Sequence, residues 1–176
     1  MRVIAGEFRS RLLKSIPGDI TRPTPDRLRE TLFDILGPRM EGAAFVDAYA
    51  GTGAVGIEAL SRGARHATFL EKNRFAIDAI RENLAALQAE RRATVVKGPV
   101  LQALAQYPAD IVFLDPPYQQ EREYPAALEL LSQAPPALIV VQHSIRFAPA
   151  DSYGSLRCTR ILKQGDNALS FFAAAE

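Results

Sequence analysis

The stretch Asp47-Ala48-Tyr49-Ala50-Gly51-Thr52-Gly53-Ala54-Val55-Gly56 decides the fold. A short apolar run, residues 44–48, leads into it, and a helical pattern over residues 55–61 follows it. Gly51, Gly53 and Gly56 have the spacing of a loop that joins a buried strand to a helix and lets a nucleotide come close to the backbone. Glu71 stands twenty residues after Gly51, at the end of the next apolar run. An acid there can accept from both hydroxyls of a ribose.

Outward from this loop the pattern repeats. Apolar runs at 67–70, 94–96, 111–114 and 137–141 alternate with helical stretches at 74–89, 100–106 and 124–132. The runs are continuous, as in strands buried on both faces, so they predict a parallel sheet with helical crossovers. Within 74–89, Phe75, Ile77, Ile80, Leu84 and Leu87 are read as the buried face, with Asn83 and Gln88 pointing elsewhere. The tail departs from this order: 155–162 and 168–173 flank Gln164-Gly165-Asp166-Asn167, which reads as a hairpin turn.

At the other end, residues 2–16 read as two short strands around Gly6. Thr24-Pro25 reads as an N-cap with proline at the first helical position, opening a helix over 26–36 that buries Leu28, Leu32 and Phe33 and stops near Gly37-Pro38. The expected architecture is therefore α/β and Rossmann-like, mostly parallel, with an antiparallel C-terminal hairpin over residues 41–176. A small N-terminal hairpin-and-helix extension precedes it over residues 1–40.

Composition excludes other classes. With 176 residues, 48% hydrophobic and 23% charged, the chain suits one packed domain and no disordered tail. It has no apolar run long enough to span a membrane and no secretory-signal pattern at its start. The single cysteine, Cys158, fits a reducing cytoplasm, and with two distant histidines no zinc spacing exists. One compact domain is compatible with a monomer. Net charge is only +1, but residues 1–30 hold seven basic groups against four acidic ones. That segment is a candidate footprint for a polyanion.

Asp47 narrows what the glycine loop binds. A carboxylate four residues before Gly51 repels the pyrophosphate of a dinucleotide and suits the ammonium and sulfonium of S-adenosylmethionine. After the fourth main run comes Asp115-Pro116-Pro117-Tyr118. Two prolines make a stiff, donor-free turn whose carbonyls remain acceptors. With Asp115 they can hold both hydrogens of an exocyclic NH₂, while Tyr118 offers a face for stacking a base. Adenine N6, cytosine N4, guanine N2 and a glutamine amide all meet that requirement. A nicotinamide oxidoreductase is disfavoured by Asp47, and a non-catalytic RNA-binding assembly factor is the alternative from a different class. His143, His66 and Cys158 are read as structural or incidental.

More specific runs surround these motifs. Arg2-Val3-Ile4-Ala5-Gly6 comes first, then Thr21-Arg22-Pro23-Thr24-Pro25-Asp26-Arg27-Leu28-Arg29-Glu30-Thr31-Leu32-Phe33 and Glu58-Ala59-Leu60-Ser61-Arg62-Gly63-Ala64. Nearly end to end the chain resembles the RsmD-type 16S rRNA guanine-N2 methyltransferases. That resemblance implies a seven-stranded domain that takes a methyl group from S-adenosylmethionine. The acceptor would be one guanine of 16S rRNA in a small-subunit assembly intermediate. It implies that Asp115, Pro116, Pro117 and Tyr118 hold the guanine amino group. The candidate cofactor residues are Asp47, Ala48, Tyr49, Gly51, Thr52 and Gly53, then Glu71 and Lys72, Gly98 and Pro99. Thr24 is assigned either to the cofactor or, with Arg27, to bracing the first helix. Arg2, Arg9, Arg11, Arg22 and Arg27 become candidate RNA contacts. The chain departs from the family at Pro99 and Gln142, where an acid is expected.

Overall fold

A computed structural model describes residues 1–18 and 24–176. Arg22, with Thr21 and Pro23, lies outside the described residues. Five parallel strands form as expected: β1 (Ala44–Ala48), β2 (His66–Glu71), β3 (Ala93–Lys97), β4 (Ile111–Leu114) and β5 (Leu138–Ser144), side by side in the order 3-2-1-4-5. The C-terminal hairpin, β7 (Leu156–Gln164) and β8 (Asn167–Ala174), joins through β8 antiparallel to β5. A two-residue strand, β6 (Ser152–Tyr153), pairs with β7, so the sheet has eight strands among the described residues where seven are expected. Two residues are too few to show a period, so β6 leaves no mark in the sequence pattern.

The helices are α1 (Asp26–Leu36), α2 (Ala54–Ser61), α3 (Arg74–Ala86), α4 (Val100–Ala103) and α5 (Glu123–Ser132). Alternation along each strand divides the core. Val46, Val112, Leu114 and Val141 pack on one face against Leu104 of the turn after α4 and Tyr124, Leu128 and Leu131 of α5. Phe45, Phe113 and Val140 pack on the other face with Leu28, Leu32, Phe33 and Leu36 of α1 and Val55 and Ala59 of α2. Each such side chain contributes roughly 1.5–3 kcal/mol by leaving water. Because side chains repeat every two residues, Asp47, Asp115 and Gln142 leave the sheet on this second face, where α1 and α2 lie.

Two local expectations fail for identifiable reasons. Phe75 is 64% exposed, whereas Asn83 is 3% exposed. At about 100° per residue Asn83 falls inside the arc of Ala76, Ala79 and Ile80, and Phe75 falls outside it. Residues 2–16 also form no strands beyond a single bridge between Arg2 and Leu12. Val3 and Leu13 still donate across the segment to the Arg11 and Met1 carbonyls at 3.0 and 2.9 Å. Amides between them are taken by α2: Ile4 and Ala5 donate to Glu58 at 2.9 and 3.0 Å, and Phe8 donates to Ser61 Oγ at 2.9 Å. Gly6 sits so close that a Cβ there would lie 1.9 Å from the Ser61 carbonyl oxygen. Val3, Phe8 and Leu13 complete a third cluster with Ile57, Leu60, Phe69 and Leu84.

Candidate active site

Order reverses between β1 and β4: the chain moves from β1 to β2 on one side and later returns to β4 on the other. Beyond the carboxyl ends of strands at such a point a parallel sheet leaves a crevice. Here it is a cleft of about 570 Å³, within the range of small-molecule sites.

The glycine loop forms one wall. Gly56 permits the close packing of α2 on β2, since a Cβ there would fall 2.3 Å from the Phe69 ring. At the end of β1 Asp47 is 1% exposed, and its Oδ2 accepts from the Gly56 amide at 2.8 Å. Burial pushes its carboxyl well above the usual carboxylate range. The Gly56 bond opposes that shift, and the nearby Asp115 and Glu71 add to it. Glu71 is held by three amides: Gly51 N–H donates to Oε2 at 2.8 Å, and Lys72 and Asn73 donate to Oε1 at 2.8 and 2.9 Å.

Asp115 continues β4 into the cleft. Burial raises its carboxyl to about 7, opposed by a hydrogen bond that Thr24 Oγ1 donates to Oδ2 at 3.4 Å. Thr24 is thus not the helix cap. Pro25 holds the cap position with extended backbone and no side-chain capping bond. Pro116 is buried behind Asp115, and Tyr118 donates its hydroxyl to Asn167 Oδ1 at 2.5 Å. That bond ties the turn to the C-terminal hairpin. Gln142, next after the β5 residue paired with Leu114, lines the same cleft at 3% exposure. Its Oε1 is buried and has no hydrogen-bond partner among the described residues.

Most sequence candidates converge here: Thr24, Asp47, Tyr49, Gly51, Thr52, Glu71, Lys72, Pro99, Asp115, Pro116, Pro117 and Tyr118 all line the cleft. Ala48, Gly53 and Gly98 do not. Ala48 faces the core with no accessible surface. The lining also includes Asn73, Leu101, Glu123 and Asn167, which carry no local motif. Glu123 fixes the loop residue Tyr49 by accepting its hydroxyl at 2.5 Å. His143 lies outside the lining, with Nε2 against Ser170 Oγ at 2.7 Å and Nδ1 against the Ser144 carbonyl at 2.8 Å. Arg2, Arg9, Arg11 and Arg27 are exposed on the surface. Among the described residues no cluster of metal-binding side chains occurs, and no helix is long and apolar enough to cross a membrane.

Sheet order, glycine loop and acid-lined crevice define a class I methyltransferase fold. Comparison with known proteins makes the assignment specific. The family described as "Conserved hypothetical protein 95" matches residues 1–173. "Ribosomal RNA small subunit methyltransferase D" of Escherichia coli (strain K12) is 43% identical over 122 residues, 68% of this chain and 61% of that protein. "Putative rRNA methyltransferase YlbH" of Bacillus subtilis (strain 168) is 36% identical over 169 residues, 91% of each chain. A solved structure titled "Putative methyltransferase yhhF from Escherichia coli" superposes with a TM-score of 0.85 at 35% identity, covering 99% of this chain and 97% of the other. The chain belongs to this RsmD-type methyltransferase family.

Proposed function

We propose that the protein transfers a methyl group from S-adenosylmethionine to the N2 amino group of a guanine in 16S rRNA. It acts in the cytoplasm on a small-subunit assembly intermediate. The observation that carries the reading is the cleft's charge: Asp47, Glu71 and Asp115 meet there, and the nearby acids raise the Asp47 carboxyl further. Such a site disfavours a pyrophosphate and suits a cationic ligand. The residues fit S-adenosylmethionine. Asp47 and the glycine loop would hold its methionine end and Glu71 its ribose, with Pro99 and Leu101 against the adenine. When bound it supplies an electrophilic methyl group.

The chain's own residues prepare the acceptor. An exocyclic amine is a weak nucleophile, because its lone pair is delocalised into the ring. Asp115 and the carbonyl of Pro116 accept its hydrogens, orient the nitrogen and stabilise the positive charge that develops on it. Asn167 holds Tyr118 in place for stacking. Gln142 supports guanine among the amines, because its buried Oε1 lacks a donor among the described residues and the strand register sets it beside Asp115. Guanine is the base whose ring position next to the amine on the pairing edge carries N–H; adenine and cytosine have a bare acceptor there. The exposed Arg2, Arg9, Arg11 and Arg27 supply phosphate contacts. The names of the relatives support rRNA as the substrate.

The test is transfer of labelled methyl to small-subunit particles, naked 16S rRNA and DNA, with the product nucleoside identified. Label is expected in N2-methylguanosine from the rRNA-containing substrates. Label in DNA adenine or in protein would overturn the assignment.

A further inference from the structure

Asn83 is the buried polar residue of α3, and its amide touches two segments far apart in sequence. Its Oδ1 accepts from the Lys14 backbone N–H at 2.6 Å. Its Nδ2 donates to the Lys14 carbonyl and to the Thr52 carbonyl, each at 3.2 Å. Lys14 ends the segment that carries Arg2, Arg9 and Arg11, and Thr52 sits at the centre of the glycine loop lining the cleft. One amide thus satisfies backbone groups of both the basic segment and the cofactor loop.

The contacts around it brace the same joint. Lys14 pairs its ammonium with Glu82, and Arg11 donates to the Ala86 carbonyl at 2.8 Å, both on α3. Leu13 packs in the cluster that holds Ala54 and Ile80, with Ala50 against it. A shift of the glycine loop on ligand binding therefore reaches Lys14 through a buried hydrogen-bonded group that cannot fall back on water.

We propose that Asn83 is a positioning residue that couples the N-terminal basic segment to the glycine loop, so that methyl-donor binding and RNA docking strengthen each other. The RNA half of this statement rests on the function proposed above; the coupling within the protein does not. Linkage requires the effect to run equally in both directions.

Hydrogen exchange of the full chain, with and without S-adenosylhomocysteine, tests the coupling without RNA. In the wild type the cofactor product should slow exchange of the Lys14 amide, several-fold or more. Asn83→Ala should bind S-adenosylhomocysteine about tenfold more weakly and, at saturation, show no change at residues 12–16. Asn83→Asp keeps the acceptor for Lys14 N–H but loses the donor to the Thr52 and Lys14 carbonyls. It should leave Lys14 protected in the free protein yet unresponsive to ligand, a split that general loosening of α3 would not produce. Ligand affinities within twofold of wild type in both variants, or an undiminished response at Lys14, would overturn the proposal. So would a wild-type Lys14 amide that ignores the ligand. If wild type binds no S-adenosylhomocysteine, the cofactor reading falls and takes this one with it. If the coupling is seen but rRNA is not labelled, only the substrate reading fails.

Discussion

The short helix α2 is in contact with two buried acids, its own Glu58 and Asp47 of β1, and the two are treated oppositely. Glu58, in the middle of the helix, has no exposed surface and accepts from the Ile4 and Ala5 amides and from Arg62 Nε at 2.8 Å. Below the helix start, Asp47 accepts from Gly56, and the charged groups that act on it among the described residues are other acids. Glu58 is completed by the protein itself and fastens the N-terminal segment. Asp47, with Asp115 beyond it, lines the cleft with both carboxyls raised, and under the proposed function a ligand completes these acids. A buried acid holds the fold together where donors converge on it and serves binding where they do not.

Substitutions can break that contrast. The largest effect is expected at Asp115. Asp115→Ala should lower methyl transfer by about 10²- to 10³-fold, as loss of one group aimed at developing charge does, while thermal stability holds or rises. Asp115→Asn keeps an acceptor oxygen and should retain part of the activity. In the wild type, activity should rise with pH through about 7 as Asp115 ionises, and Asp115→Asn should flatten that profile. Stability should move the other way. The folded value lies above the unfolded 3.8, so the folded chain keeps a proton that the unfolded chain has released. This group's contribution therefore falls as pH rises from 3.8 towards about 7. A denaturation series across that window measures it.

Glu58→Ala comes next and should act on the fold. It removes the closer of Arg62's two acid partners among the described residues, strands two backbone amides, and leaves the fully buried Arg29 with the exposed Asp26 but without Glu58. A loss of about 3–5 kcal/mol is expected in chemical denaturation, the cost of breaking a buried pair. Asp47→Asn should show the reverse balance: roughly tenfold weaker S-adenosylmethionine binding by calorimetry, with melting temperature unchanged or higher because acid repulsion is relieved. The smallest effect is expected from Thr24→Val. Its bond to Asp115 is long, at 3.4 Å, and holds that carboxyl down. Removing it should move the midpoint of the pH–activity profile upwards with little change in the plateau rate.

Much of this was legible along the chain. Gly51, Gly53 and Gly56 with Asp47 and Glu71 are local signals, since a strand-to-helix turn and the acids at strand ends follow from spacing alone. Asp115 to Tyr118 is local as well, because two prolines constrain their own backbone. Gln142 could be noticed as a departure but not as an unpartnered group, since the lack of a partner belongs to the space around a residue. Asn167, Glu123 and Asn83 carried no signal. Asn167 meets Tyr118 from 49 residues away and Glu123 meets Tyr49 from 74. Asn83 was misplaced because Phe75 drew the apolar arc of α3 towards itself.

The sequence by itself determined the order of strands and helices, the glycine loop and the acids at the strand ends. Each depends on periodicity and turn chemistry within a few residues. Only the tertiary structure decided that Thr24 turns to Asp115 instead of capping α1. It also decided that the turn of residues 2–16, closed by one bridge, gives the amides of Ile4, Ala5 and Phe8 to α2 instead of extending into strands. It alone decided that Asp47 and Glu58 differ. A carboxylate's role depends on the donors and charges that folding brings to it, and those come from distant parts of the chain.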